Sequence, residues 1–119
     1  EHFLEKLRSL INDSQIELQV IQAAAPTESN PDTSLFRAMR EVLQREDPKA
    51  ILVPYLSPGG TDSRYFRKLG ITAYGFMPIL IDETELQRIH GVDERLSLEN
   101  LERGIRILFE VVKEVAIGK

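Results

Sequence analysis

The sequence predicts an α/β chain in the order helix–strand, linker, helix–strand–helix–strand–helix. Two apolar runs of strand length, 50–56 and 71–79, carry few charges, as strands covered on both faces do. Amphipathic stretches with apolar residues every three or four positions flank them. A proline-bearing polar segment, 23–32, separates all of this from a first helix and an alternating strand.

Each element has a local cause. Phe3, Leu4, Leu7, Leu10 and Ile11 recur at helical spacing among Glu5, Lys6, Arg8 and Ser9, and Asn12-Asp13 ends that helix. Ile16, Leu18 and Val20 then alternate with Glu17 and Gln19, the pattern of a half-buried antiparallel strand. Segment 23–32 is the expected domain boundary. After it, Asp32, Thr33 or Ser34 can cap a helix whose buried side is Leu35, Phe36, Met39, Val42 and Leu43, stopped by Asp47-Pro48. The run 50–56 follows, with Pro54 suited to a strand end or a bulge. The turn 57–61 leads into a short helix carrying Tyr65, Phe66 and Leu69, with Gly70 in the C′ position. Gly75 and Pro78 interrupt the second run, and 80–91 reads as a polar loop. The last helix starts near Ser97 with the stripe Leu98, Leu101, Ile105, Leu108, Val112 and Val115. Ile107, Phe109 and Val111 widen that stripe beyond a coiled-coil seam, so it is expected to pack on a sheet.

Composition narrows the function. At 119 residues with 42% hydrophobic and 29% charged residues, the chain is long enough for one domain with a real core. Fifteen basic and 19 acidic residues are interleaved, giving a net charge of −4, which argues against nucleic acid as a partner. No apolar run approaches the ~20 residues that span a bilayer, so no membrane segment is expected. The N-terminus, an acidic–basic mixture at helical spacing, does not read as a signal peptide. The absence of cysteine excludes disulfides and thiolate zinc clusters but fixes no compartment: cytoplasmic and secreted settings both fit. The start without methionine, partway into an amphipathic pattern, suggests a piece cut from a longer chain.

Two motifs can carry chemistry. Pro58-Gly59-Gly60-Thr61-Asp62-Ser63-Arg64 joins a strand to a helix. Glycines allow close backbone approach, and N–H groups at a helix start favour an anion such as a carboxylate or an oxyanion. By itself the turn reads first as a tight strand-to-helix connection with Thr61 or Asp62 as a plain N-cap. Arg64 has the planar fork that suits a carboxylate. The second motif is Arg88-Ile89-His90-Gly91-Val92-Asp93-Glu94. A loop histidine beside acids can ligate zinc, or simply lie at the surface or cap a helix. His2, at the frayed start of a helix, is expected to be inert. A catalytic zinc needs three or more protein ligands, and this chain offers one plausible histidine. It also lacks a nucleophile elbow and a Ser–His–Asp or Cys–His set, so no catalytic residue is assigned in it.

Taken together, Pro58 to Phe66 and Arg88 to Ser97 resemble the C-terminal third of the co-catalytic zinc peptidases, which include aminoacylase, carboxypeptidase G, carnosinase and succinyl-diaminopimelate desuccinylase. The carboxypeptidase S-like branch, with its N-acyl-amino-acid hydrolases, is the most similar, although its glycine pair is often Gly-Asn where this chain has Gly59-Gly60. The resemblance covers essentially the whole chain. It implies that residues 1–22 are the last helix and strand of an α+β ferredoxin-like lid that can form a homodimer. Residues 23–119 would be the C-terminal part of the catalytic domain. It further implies that His90 ligates one of two zinc ions (cobalt or manganese being alternatives), and that Gly59, Gly60, Thr61 and Arg64 line the substrate site. The remaining ligands and the general base would come from an N-terminal remainder of the same enzyme, leaving the metal site here incomplete. The substrate would be a peptide or an N-acyl amino acid with a free carboxylate. The isolated chain is then expected to be inactive. The alternative is a freestanding α/β binding or assembly module without catalysis.

Overall fold

The computed structural model describes residues 2–117. Five helices appear among them: α1 (His2–Ile11), α2 (Ser34–Glu46), α3 (Ser63–Lys68), α4 (Glu83–Leu86) and α5 (Leu98–Ile117). Among the described residues only α2 and α5 pack extensively on each other. The radius of gyration is 19.1 Å, against about 13.5 Å for a compact domain of this length, so much of the chain lies away from that pair.

The α2 helix forms where the sequence places it. Thr33 is its N-cap, in extended conformation, with Oγ1 accepting the Phe36 N–H at 3.1 Å. At the other end Asp47 N–H reaches Leu43 O, and Asp47 Oδ1 accepts the Lys49 N–H, turning the chain out of the helix at Pro48. Phe36, Met39 and Val42 bury one face against Ile107 and Val111 of α5, with Leu35, Leu43, Leu52, Tyr74 and Phe76 packed around them. Each fully buried side chain of this kind stabilises by roughly 1.5–3 kcal/mol. Charges rim the seam: Glu46 meets both Arg106 and Arg103, and Arg45 meets Glu114.

The buried face of α5 differs from the expected one. Asn100, Gly104, Ile107 and Val111 face inward, in steps of four, three and four. The stripe Leu98, Leu101, Ile105, Leu108, Val112 and Val115 is exposed instead, Ile105 to 60%. Gly104 explains the choice. A Cβ there would stand 3.2 Å from Ile79 Cγ2, so the missing side chain lets segment 78–80 lie directly on the helix.

The expected strands are not observed: no strand occurs among the described residues. Segments 16–20, 50–56 and 71–79 are irregular. A strand exists only through a partner that takes its N–H and C=O groups, and these segments have no paired neighbour among the described residues. The run 50–56, expected to be covered on both faces, leaves Ile51, Tyr55 and Leu56 exposed at 80%, 84% and 85%. Segment 71–80 is instead held by side chains. Ser29 Oγ accepts the Ala73 N–H and donates to the Ala73 carbonyl, and the Asn100 amide does the same two jobs at Leu80.

The remaining helices are small. Gly70, at φ +77°, closes α3 as expected: Gly70 N–H reaches Arg67 O and Ile71 N–H reaches Phe66 O. These are the two bonds of a Schellman cap. Within the segment expected to be a plain loop lies α4, set by a reciprocal cap in which Asp82 accepts the Glu85 N–H and Glu85 accepts the Asp82 N–H. Among the described residues no helix is long and apolar enough to cross a membrane.

Candidate functional site

The glycine turn opens onto a cleft of ≈ 1150 Å³. Gly59, Gly60, Thr61 and Arg64 all line it, together with Asp62, Arg67 and Tyr74. Neither glycine is demanded by packing. A Cβ on Gly59 would meet Ser57 Oγ at 3.8 Å, and one on Gly60 would meet Arg64 Nη1 at 3.6 Å, both ordinary contacts. Asp62 is the N-cap residue of α3 but makes no side-chain cap bond. Arg64 lies over the Tyr65 ring, 4.7 Å from its centroid, and donates from Nη2 to Tyr65 Oη at 2.7 Å. That stacking restricts the guanidinium beside the turn, with donors to spare for a carboxylate.

Sequence reasoning missed the residues that hold the cleft wall. Arg67 donates from Nε to Ser29 Oγ and Ala73 O, from Nη1 to Thr27 O and Oγ1, and from Nη2 to Ala73 O at 2.7 Å. It ties α3 to both the 27–29 loop and residue 73. Tyr74 adds a second tie. Its hydroxyl donates to Asn30 O at 2.6 Å, so Thr33 Oγ1, 2.7 Å away, donates to Tyr74 while accepting from Phe36 N–H. The Tyr74 ring also meets Phe36 edge-on at 5.5 Å. The only sequence signal was the recurrence of arginine three positions after Arg64, which places both near one face of a short helix.

His90 sits elsewhere: it is not among the residues lining this cleft. It is exposed, and its backbone is left-handed, φ +64°. Non-glycine residues in that region are uncommon and carry strain of roughly 1–3 kcal/mol, concentrated at functional sites. The turn is closed by Gly91 N–H on Arg88 O at 2.8 Å, and a Cβ on Gly91 would approach that same oxygen to 3.0 Å. A side chain at 91 would therefore crowd the turn. Asp93 faces Arg88 and Arg95, each at 3.8 Å, rather than orienting the imidazole. His2 lies in the first turn of α1 and is exposed.

The donor set decides what these residues can hold. Among the described residues no group of three or more histidine, cysteine, aspartate or glutamate side chains converges. No set of side chains there reaches the three or more protein ligands of a catalytic zinc, so the described residues by themselves do not fit a metal ion.

Comparison with known proteins supplies the context. No solved structure gives a significant match. The chain is 32% identical over 117 residues to the N-fatty-acyl-amino acid synthase/hydrolase PM20D1 of Homo sapiens, covering 95% of this chain and 23% of that protein. It is 26% identical to the probable carboxypeptidase S-like 2 of Dictyostelium discoideum, covering 92% of this chain and 22% of the relative. It is 28% identical to the succinyl-diaminopimelate desuccinylase of Nautilia profundicola, covering 92% and 29%. The chain thus spans less than a third of the length of these relatives. The model of peptidase family M20/M25/M40 matches residues 6–114, and the chain belongs to that family.

Proposed function

We propose that this chain is the C-terminal part of a zinc-dependent amidohydrolase that cleaves the amide bond of N-acyl amino acids or short peptides with a free carboxylate. The observation that carries the reading is the cleft walled by Gly59, Gly60, Thr61 and Arg64, in a chain belonging to a peptidase family. The glycine pair is not required by packing, so its bare backbone is free to meet a ligand. Stacked Arg64 adds a guanidinium suited to the substrate carboxylate.

His90 is the metal ligand in this reading. Its left-handed backbone on an exposed turn is the kind of strain that active sites retain. The other ligands and the proton-shuttling carboxylate belong to an N-terminal remainder of the same enzyme. Two zinc ions, once bound, would supply polarisation of the scissile carbonyl and an activated water. The residues of this chain hold one donor in place and receive the substrate's charged end. Residues 1–22 would close a lid domain, and the exposed apolar face of α1 fits contact with the rest of that lid or with a second copy.

In the full-length enzyme, His90→Ala should lower turnover of an N-acyl amino acid by about two orders of magnitude or more, because metal–water activation supplies several kcal/mol. Near-normal turnover in that variant rejects the assignment.

A further inference from the structure

We propose that Asn100 is the positioning residue of the His90 loop, a clasp that fixes where residues 80–97 begin and end. This inference rests on the reading of His90 as a metal ligand. Asn100 is a buried polar side chain, 9% exposed, on the first turn of α5. Its Oδ1 accepts the Leu80 N–H at 2.9 Å and its Nδ2 donates to the Leu80 carbonyl at 2.7 Å. Because Leu80 presents one donor and one acceptor, only one orientation of the amide satisfies both. The Asn100 N–H in turn meets Ser97 Oγ at 3.1 Å. The two ends of the loop, Leu80 and Ser97, are thereby gathered on a single residue.

Two further observations make this a positioning device rather than an isolated satisfied amide. Gly104, one turn along α5, admits Ile79 Cγ2 to 3.2 Å of where a Cβ would stand, so the residue before Leu80 is seated on the same helix. From Leu80 the chain then runs to His90 through consecutive hydrogen-bonded turns. The Asp82–Glu85 cap comes first, followed by Leu86 N–H on Asp82 O, Arg88 N–H on Glu85 O and Gly91 N–H on Arg88 O. A shift at Leu80 has few soft torsions in which to dissipate before it reaches the imidazole. A histidine held in a left-handed turn needs such support, since strained backbone persists only where its surroundings over-determine it.

The test uses the full-length enzyme and two readouts besides activity: retention of zinc against a chelator, and hydrogen exchange followed peptide by peptide. His90→Ala is the reference variant, expected to lose one of the two ions. Asn100→Ala should lose that same ion about tenfold faster or more than wild type. Its exchange should accelerate about tenfold or more in 80–97, with the rest of the chain unchanged. Gly104→Ala, which pushes Ile79 away while leaving the amide in place, should shift both readouts the same way by a smaller factor. If His90→Ala loses an ion and Asn100→Ala keeps both, the clasp is overturned while the metal reading stands. Acceleration spread evenly over the chain in both Asn100→Ala and Gly104→Ala also overturns it, because Asn100 would then be an ordinary core residue. If His90→Ala itself keeps both ions, the metal reading fails, and loop-confined exchange alone decides the clasp.

Discussion

The α2–α5 pair and the apolar segments around it both carry large apolar side chains and meet opposite fates. Phe36, Met39, Val42, Ile107 and Val111 are buried, Ile107 to 1% exposure, whereas Ile51, Val53, Tyr55 and Leu56 stand largely in solvent. The difference is the partner. An amphipathic helix satisfies its own backbone and needs only an apolar neighbour, which α2 and α5 provide for each other. A strand needs a second strand for its backbone and a layer on each face for its side chains. Exposed apolar surface on this scale is the kind found at protein or membrane interaction sites and ligand grooves. The second stripe of α5, from Leu101 to Val115, belongs with the exposed group.

The sharpest way to break this comparison is to cut matched side chains from each region. Ile107→Ala should destabilise by about 2–5 kcal/mol, as truncations of well-packed core residues do, read from the denaturant midpoint of the α2–α5 unit. Val53→Ala should cost less than about 0.5 kcal/mol in the isolated chain. In the full-length enzyme Val53→Ala should cost several times more, and an equally small effect there would mean that 50–56 stays uncovered. Next in size is Gly70→Ala, at about 1–2 kcal/mol for a Cβ at φ +77°, measured as a loss of thermal stability. At the cleft, Gly60→Ala should leave folding intact, since the Cβ finds ordinary contact, yet raise KM for an N-acyl amino acid severalfold. A KM unchanged by that methyl group would remove the turn from the substrate site.

The smallest effect concerns the rim. The hydrogen bond from Arg106, with further attraction from Arg106 and Arg103, holds the Glu46 carboxyl below the ordinary glutamate range. A depressed folded pKa means stability that is present above the unfolded value and lost as pH falls through the folded one. The contribution should therefore be intact at neutral pH and fade on acidification below about pH 4.5, the ordinary glutamate value. Glu46→Gln should flatten that part of the acid unfolding curve and screen little further with salt, while wild type weakens as salt rises.

The helices were legible wherever their signals are local. Thr33 caps α2, Asp47-Pro48 ends it, and Gly70 closes α3, each through backbone groups within a few residues. The reciprocal cap of α4 was equally local, but Asp82 and Glu85 flank too short an apolar pattern to announce a helix. The buried face of α5 was not legible, because two apolar stripes run along it and only Gly104 distinguishes the one that accepts close packing. The strands failed for a different reason: apolar runs record what a segment is suited to meet, and no strand pairs with these segments among the described residues. The motifs pointed to Gly59 to Arg64 and His90 as candidates, whereas Arg67 and Tyr74 at the cleft and Asn100 at Leu80 make contacts some 20–44 residues away in sequence, which no spacing rule could show.

The central claim is that this chain brings a substrate wall and a single metal donor to a site completed elsewhere in the enzyme. Turnover of an N-acyl amino acid with added zinc, measured for the 119-residue chain beside the full-length enzyme, tests it most directly. The account predicts turnover by the full-length enzyme alone. Robust turnover by the isolated chain, surviving His90→Ala, would contradict it.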